Sequence, residues 1–148
     1  MFQVRAEAEL DVVGLGQCSM DHVCRVRDYP AAGAKTEVHS YQLLPGGQVA
    51  TAALTARRLG WRACYVGAVG DDPLGALVCR VLEREGVELR LRTVAGARTQ
   101  FSVNVVDASG ERTILERYDP RAVVRREHLD RRLLQSTRVL HLDITDVP

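Results

Sequence analysis

Two short stretches carry groups suited to chemistry. In GLGQCSMD, residues 14–21, Ser19 and Asp21 stand directly after an apolar run. An ionised aspartate only accepts hydrogen bonds and can take them from two hydroxyls of a polyol at once, although the same carboxylate could simply cap a turn. In PGGQVATAALTARRLG, residues 45–60, Gly46 and Gly47 precede an alanine-rich segment in which Val49, Ala52, Ala53, Ala56 and Leu59 recur at helical spacing. Such glycines permit positive φ and let a polar or anionic group approach a helix N-terminus, and they equally suit a tight strand-to-helix turn. GLGQCS also begins like a dinucleotide fingerprint. Its third glycine position is Ser19, and the residues beyond read as a strand where the fingerprint needs a helix, so NAD binding is not expected. His22 reads as a surface strand residue or as a ligand.

The elements that must position these groups follow from periodicity and punctuation. DVVGLG reads as a short buried strand, and HVCRVRDYP and KTEVHSYQLL as an antiparallel pair whose AAG turn is too short for a crossover helix. After the helix of residues 45–60 comes the strand RACYVGAVG. DDPLGALVCRVLEREG is punctuated as a helix: Asp71 or Asp72 caps it, Pro73 suits its first turn, Leu74, Leu77, Val78, Val81 and Leu82 form one face, and Gly86 ends it. VELRLRTV is a strand, TQFSVNVVD and ERTILERYD form a second hairpin, and a helix near residues 126–135 leads to a last strand, RVLHLDI. The expected fold is α/β: a partial Rossmann-like parallel sheet with helices, plus a small β-sheet lid made from both hairpins. The chain closes just after a strand, where an α/β fold would place a covering helix, so it reads as half of a larger sheet.

Composition limits the classes. The 148 residues are 46% hydrophobic and 26% charged, enough for one ordinary globular domain. The net charge is +1, and the densest basic stretch, RAVVRREHLDRRLL, is interrupted by acids and carries leucines at helical spacing, so a solvated helix face is expected there and no nucleic-acid partner. No apolar run is long enough to span a membrane and the N-terminus lacks a signal-peptide pattern, so a cytoplasmic location is expected. Cys18, Cys24, Cys64 and Cys79 show no Cys-x-x-Cys spacing, which favours reduced thiols over a metal site.

Taken together, the strand with Asp21 beyond it, PGGQVATAALTARRLG and VGAVGDDPLG resemble the ribokinase-like, or PfkB, family of carbohydrate kinases. The combination is specific although no single piece is, and it runs in order along nearly the whole chain. The resemblance implies that Asp21 holds sugar hydroxyls, that Gly46 and Gly47 open a helix beside the sugar, and that lid segments at about residues 20–44 and 98–119 close over it. It also draws in Ser19 and Thr51, where the family often has asparagines, and Gln48, where some members have lysine. Thr99 or Phe101 matches the stretch that reaches over the sugar, with packing inside the lid the preferred role for Phe101. Asp143 matches an acidic position near the substrate, or serves a strand-end turn.

The resemblance further implies ATP and Mg²⁺ as the cofactors of a complete enzyme. The family's Asn-x-x-Glu and Gly-Ala-Gly-Asp segments, which provide the magnesium-linked region, the anion hole and the catalytic base, do not occur in this sequence. The nearest string, NVVD at residues 104–107, sits in a predicted hairpin and ends in the wrong acid. The expectation is therefore a substrate-binding and lid half, residues 1–148, without a catalytic residue or a metal site of its own. A non-catalytic sugar-binding or regulatory module is the alternative. The exposed edges of the lid invite a homodimer through that sheet.

Overall fold

The computed structural model describes residues 8–143. Strand β1 (Leu10–Leu15) is central in a four-stranded sheet with β4 (Ala63–Gly70), β5 (Glu88–Val94) and β8 (Thr137–Leu142), in the order β5-β4-β1-β8. All three pairings are parallel, as the strand and helix alternation predicts. One face packs on α1 (Gln48–Arg58) and α2 (Pro73–Arg84) through Val12, Val49, Ala53, Tyr65, Val78 and Leu82. The other face gathers Val13, Leu15, Cys64, Val66 and Val124, with Leu129, Leu133 and Leu134 against it. A strand buried on both sides needs a continuous apolar run, which β1 and β4 supply. Burial also pushes the pKa of the Cys64 thiol up to about 11, and Cys24, Cys64 and Cys79 are free thiols.

Helix α2 begins as its punctuation predicts. Asp72 is the cap and accepts from the Gly75 N–H at 2.9 Å, while Asp71 instead accepts from the Gly96 N–H. Gly86, at φ +77°, ends the helix.

The second sheet has the order β3-β2-β6-β7, from β2 (Ser19–Arg25), β3 (Ser40–Gly46), β6 (Phe101–Val106) and β7 (Arg112–Arg117). Each expected hairpin is antiparallel, and a parallel pairing of β2 with β6 joins them into one lid.

Three elements depart from expectation. Strand β2 ends at Arg25, so the run on to Pro30 is not strand. Pairing of β3 stops at the Arg25↔Ser40 register, so the run from Lys35 to His39 is not strand. The helix near 126–135 is instead a single 3-10 turn (Arg126–His128) and a short α3 (Arg131–Gln135). Leu129 between them is extended at ψ 123°, and the Asp130 carboxylate starts a new helix by accepting from the N–H groups of Arg132 and Leu133. Ile144, at the end of the last predicted strand, lies outside the described residues.

Candidate functional site

Asp21 is the third residue of β2, and strand alternation puts Ser19, Asp21 and Val23 on one face of the lid sheet. On the paired strand β6, Ser102 is opposite Asp21 and Asn104 is opposite Val23. The register builds one polar chain. Asp21 Oδ1 accepts from the Ser19 hydroxyl at 2.9 Å and from the Ser102 hydroxyl at 2.8 Å. Ser102 Oγ in turn accepts from Asn104 Nδ2 at 2.7 Å. Each serine proton is directed at the carboxylate, so the cluster offers a ligand mainly acceptors: the second carboxylate oxygen, the serine lone pairs and the Asn104 carbonyl. A donor-rich molecule such as a polyol complements that set.

Below this face lies the turn into α1. A β-carbon on Gly46 would stand 2.2 Å from Asp21 Oδ2, and one on Gly47, whose φ is +87°, would stand 2.5 Å from the Cys18 α-carbon. The bare backbone at these positions thus admits protein atoms: the Asp21 carboxylate at Gly46 and the β1–β2 connection at Gly47. This close seating also ties the helix start to that connection, because the Ala50 N–H donates to the Gln17 carbonyl at 3.2 Å. No side chain caps α1. Between lid and helix lies a cleft of about 360 Å³ lined by Ser19, Asp21, Gly47, Gln48, Ser102 and Asn104, among others.

The remaining predicted residues are distributed differently. Thr99 is 2% exposed and is a structural hub: its hydroxyl donates to Asp72 at 2.7 Å and accepts from the Gly70 N–H at 3.0 Å. It does not line the cleft. Thr51 faces solvent on α1 and borders a separate hollow with Ala52 and Thr55. Asp143 is buried and accepts from the Gln17 N–H at 2.9 Å, with its carboxylate filling the space beside Gly16. Phe101 points to the opposite lid face, edge-on to the His22 ring, which also bonds the Tyr41 hydroxyl at 2.9 Å. Packing within the lid is therefore the observed role of Phe101.

Two residues of the cluster, Ser102 and Asn104, were absent from the sequence-based set. Their signal was the two-residue alternation of FSVNVV, which separates Ser102 and Asn104 from Phe101, Val103 and Val105. Gln100 also borders the cleft and bonds Glu116 of β7. Among the described residues no group of three or more His, Cys, Asp or Glu side chains is placed to hold a metal ion.

Comparison with known proteins agrees with this architecture. Residues 9–147 match the model of the pfkB family carbohydrate kinases. The chain is 34% identical over 101 residues to the ribokinase of Bacillus subtilis, covering 68% of this chain and 34% of that protein. It is 30% identical over 133 residues to fructokinase-2 of Solanum habrochaites, covering 88% of this chain and 39% of that protein. The fold superposes on Arabidopsis thaliana ribokinase, solved with ribose and ATP, at a TM-score of 0.75 and 21% identity, over 94% of this chain and 46% of that one. The chain thus spans less than half the length of each of these relatives. With the two-sheet architecture and the match over residues 9–147 in agreement, the chain belongs to the pfkB family of carbohydrate kinases.

Proposed function

We propose that the chain is the substrate-binding and lid portion of a cytoplasmic, ATP-dependent sugar kinase that transfers the γ-phosphoryl group to a hydroxyl of a sugar or related polyol. The observation that carries this reading is the Asp21 cluster, whose carboxylate accepts from Ser19 and Ser102 at the wall of a cleft closed by a β-sheet lid. In this reading a sugar hydroxyl donates to Asp21 Oδ2, Gln48 contacts the sugar from the first turn of α1, and Gly46 and Gly47 bring that turn against the lid. Thr99 and Asp143 act on the substrate through the backbone they hold: the entry into β6 and the Gly16–Gln17 connection. The phosphate-bearing cofactor and its Mg²⁺ belong to a second half. Placing and neutralising a transferred phosphoryl group needs an anion hole, a base and a metal, and the sequence contains neither of the family segments that carry them.

Calorimetric titration of the chain with D-ribose and D-fructose tests the reading. Saturable binding to one of them, weakened at least about tenfold by Asp21→Asn, supports it, because a charge-assisted hydrogen bond contributes on the order of 1.5–3 kcal/mol. Binding unaffected by that substitution removes Asp21 from the role. Robust turnover of either sugar with Mg·ATP by the chain alone overturns the assignment of catalysis to a second half. The rival reading, a non-catalytic binding module, rests on the same cluster and is favoured if no second half is encoded.

The lid also supports pairing of two copies. Its edge strands are β3 and β7, and Leu44 and Ile114 stand 44% and 47% exposed on them. A homodimer through this sheet would cover both.

A further inference from the structure

The wall of the cleft formed by β6 is polar at its buried positions. Ser102 and Asn104 are 8% and 7% exposed, and burying such groups costs free energy unless their hydrogen-bonding capacity is met. Asn104 makes one of its four possible hydrogen bonds among the described residues. The Ser102 hydroxyl has one proton, committed to the Asp21 carboxylate at 2.8 Å, so Ser102 Oγ can only accept from the carboxamide 2.7 Å away. That requirement fixes the orientation of the amide: nitrogen toward Ser102, oxygen away from it. Among the described residues the Asn104 oxygen and its second N–H have no hydrogen-bond partner; the oxygen is open to solvent rather than sealed in, and the side chain borders the cleft. One acceptor and one donor side by side match a hydroxyl, which both gives and takes a hydrogen bond. A carboxylate or an ammonium would use only one of the two.

We infer that Asn104 is a specificity-determining residue that reads a second hydroxyl of the polyol, on the lid side and removed from the hydroxyl held by Asp21. The inference rests on the sugar-binding reading above. The spacing suits it, since Asn104 lies two residues further along the sheet than Ser102, the register partner of Asp21, or roughly 6–7 Å. A sugar lacking that hydroxyl leaves the buried carboxamide unpaired and binds more weakly.

The test is titration of the chain with D-ribose, D-fructose and each of their monodeoxy forms, for the wild type and for Asn104→Leu, which keeps the volume and removes the polar edge. The expected result is that, besides the position read by Asp21, the wild type rejects a second deoxy position by about tenfold, and that Asn104→Leu abolishes only this second ratio while binding that deoxy sugar as well as the wild type does. Ser102→Ala, which removes the bond orienting the carboxamide, should lower the same ratio and serves if the leucine variant fails to fold. A ratio unchanged in a folded variant overturns the inference and leaves the sugar-binding reading standing. A wild type that binds none of these sugars overturns both.

Discussion

The carboxylate of Asp21 is seated against the α-carbon of Gly46, so that a β-carbon there would be 2.2 Å from Asp21 Oδ2. The two belong to neighbouring strands of one hairpin, where Ser19 pairs with Gly46 and Asp21 with Leu44. Gly46 is not in the positive-φ region, so its own backbone would tolerate a side chain. What excludes one is the carboxylate, and a side chain at 46 would drive Asp21 off the Ser19 and Ser102 hydroxyls.

The neighbouring glycines should therefore fail differently. Gly46→Ala meets the end of a flexible side chain, which can turn away at the loss of its Ser19 and Ser102 bonds, so the variant should lose about 1–2 kcal/mol of stability and bind sugar at least about tenfold more weakly. Gly47→Ala meets backbone at 2.5 Å from a φ of +87°, so it should lose roughly 2–4 kcal/mol. Denaturant unfolding and sugar titration on both variants separate the two effects. Equal destabilisation of the two would contradict the assignment.

Asp72 joins the α2 cap to the entry of the lid, accepting from Gly75 N–H, Thr99 N–H and the Thr99 hydroxyl. Burial pushes its pKa up, but the Thr99 hydroxyl, the two backbone donors and the Arg98 charge outweigh it and hold the carboxyl below its ordinary value. A depressed pKa means that the stability contributed is complete above the unfolded value, about 3.9, and is lost as pH falls through it toward the folded value. Asp72→Asn should cost about 1–3 kcal/mol at pH 7, because its amide hydrogens oppose the Thr99 N–H. The difference from the wild type should shrink as the pH is taken below about 4. Unfolding measured across pH checks this, and a difference that is constant with pH would contradict it.

What could be read from the sequence was local. The apolar run of β1, the Asp72 cap with Pro73 behind it, and the turn between β6 and β7 are each written in consecutive residues. The site is written across strands. Ser102 meets Asp21 only because β2 and β6 pair in parallel between residues 81 positions apart, a register that neither strand states alone. The glycine pair was ambiguous for a similar reason: an absent side chain signals close approach without saying by what, and the nearest atoms to a β-carbon there are those of Asp21, Gln17 and Cys18. Thr99 lies in the stretch expected to reach over the sugar, but its partner Asp72 turns the hydroxyl inward.

If the lid pairs two copies, the apolar side chains facing the cleft are its contact. Leu44→Glu and Ile114→Glu should each raise the dimer dissociation constant by about tenfold or more, since burying such a side chain contributes about 1.5–3 kcal/mol. Sedimentation equilibrium over a wide concentration range reads this directly. A wild type that stays monomeric at the highest concentration rules the dimer out.

The other unsatisfied surface is the edge of the parallel sheet. Among the described residues strand β8 pairs only with β1, and Val139, Leu140 and Leu142 are 48%, 41% and 48% exposed, on both faces of a sheet type that ordinarily has both covered. Trp61, half exposed, shares a hollow of about 340 Å³ with Val139, Asp11 and Arg138. As the single tryptophan of the chain, it reports on whatever covers that corner. If a second half completes the sheet, the polypeptide encoded by the frame read on past the Pro148 codon should shield Trp61 from iodide and shift its emission to the blue. It should also add a few kcal/mol of stability from the three β8 side chains, at about 25 cal/mol per Å² of apolar surface covered. The 148-residue chain by itself should show a freely quenched indole. A longer polypeptide that leaves the quenching unchanged argues that β8 is not where the second half docks, and a frame that stops at Pro148 gives precedence to the non-catalytic binding module.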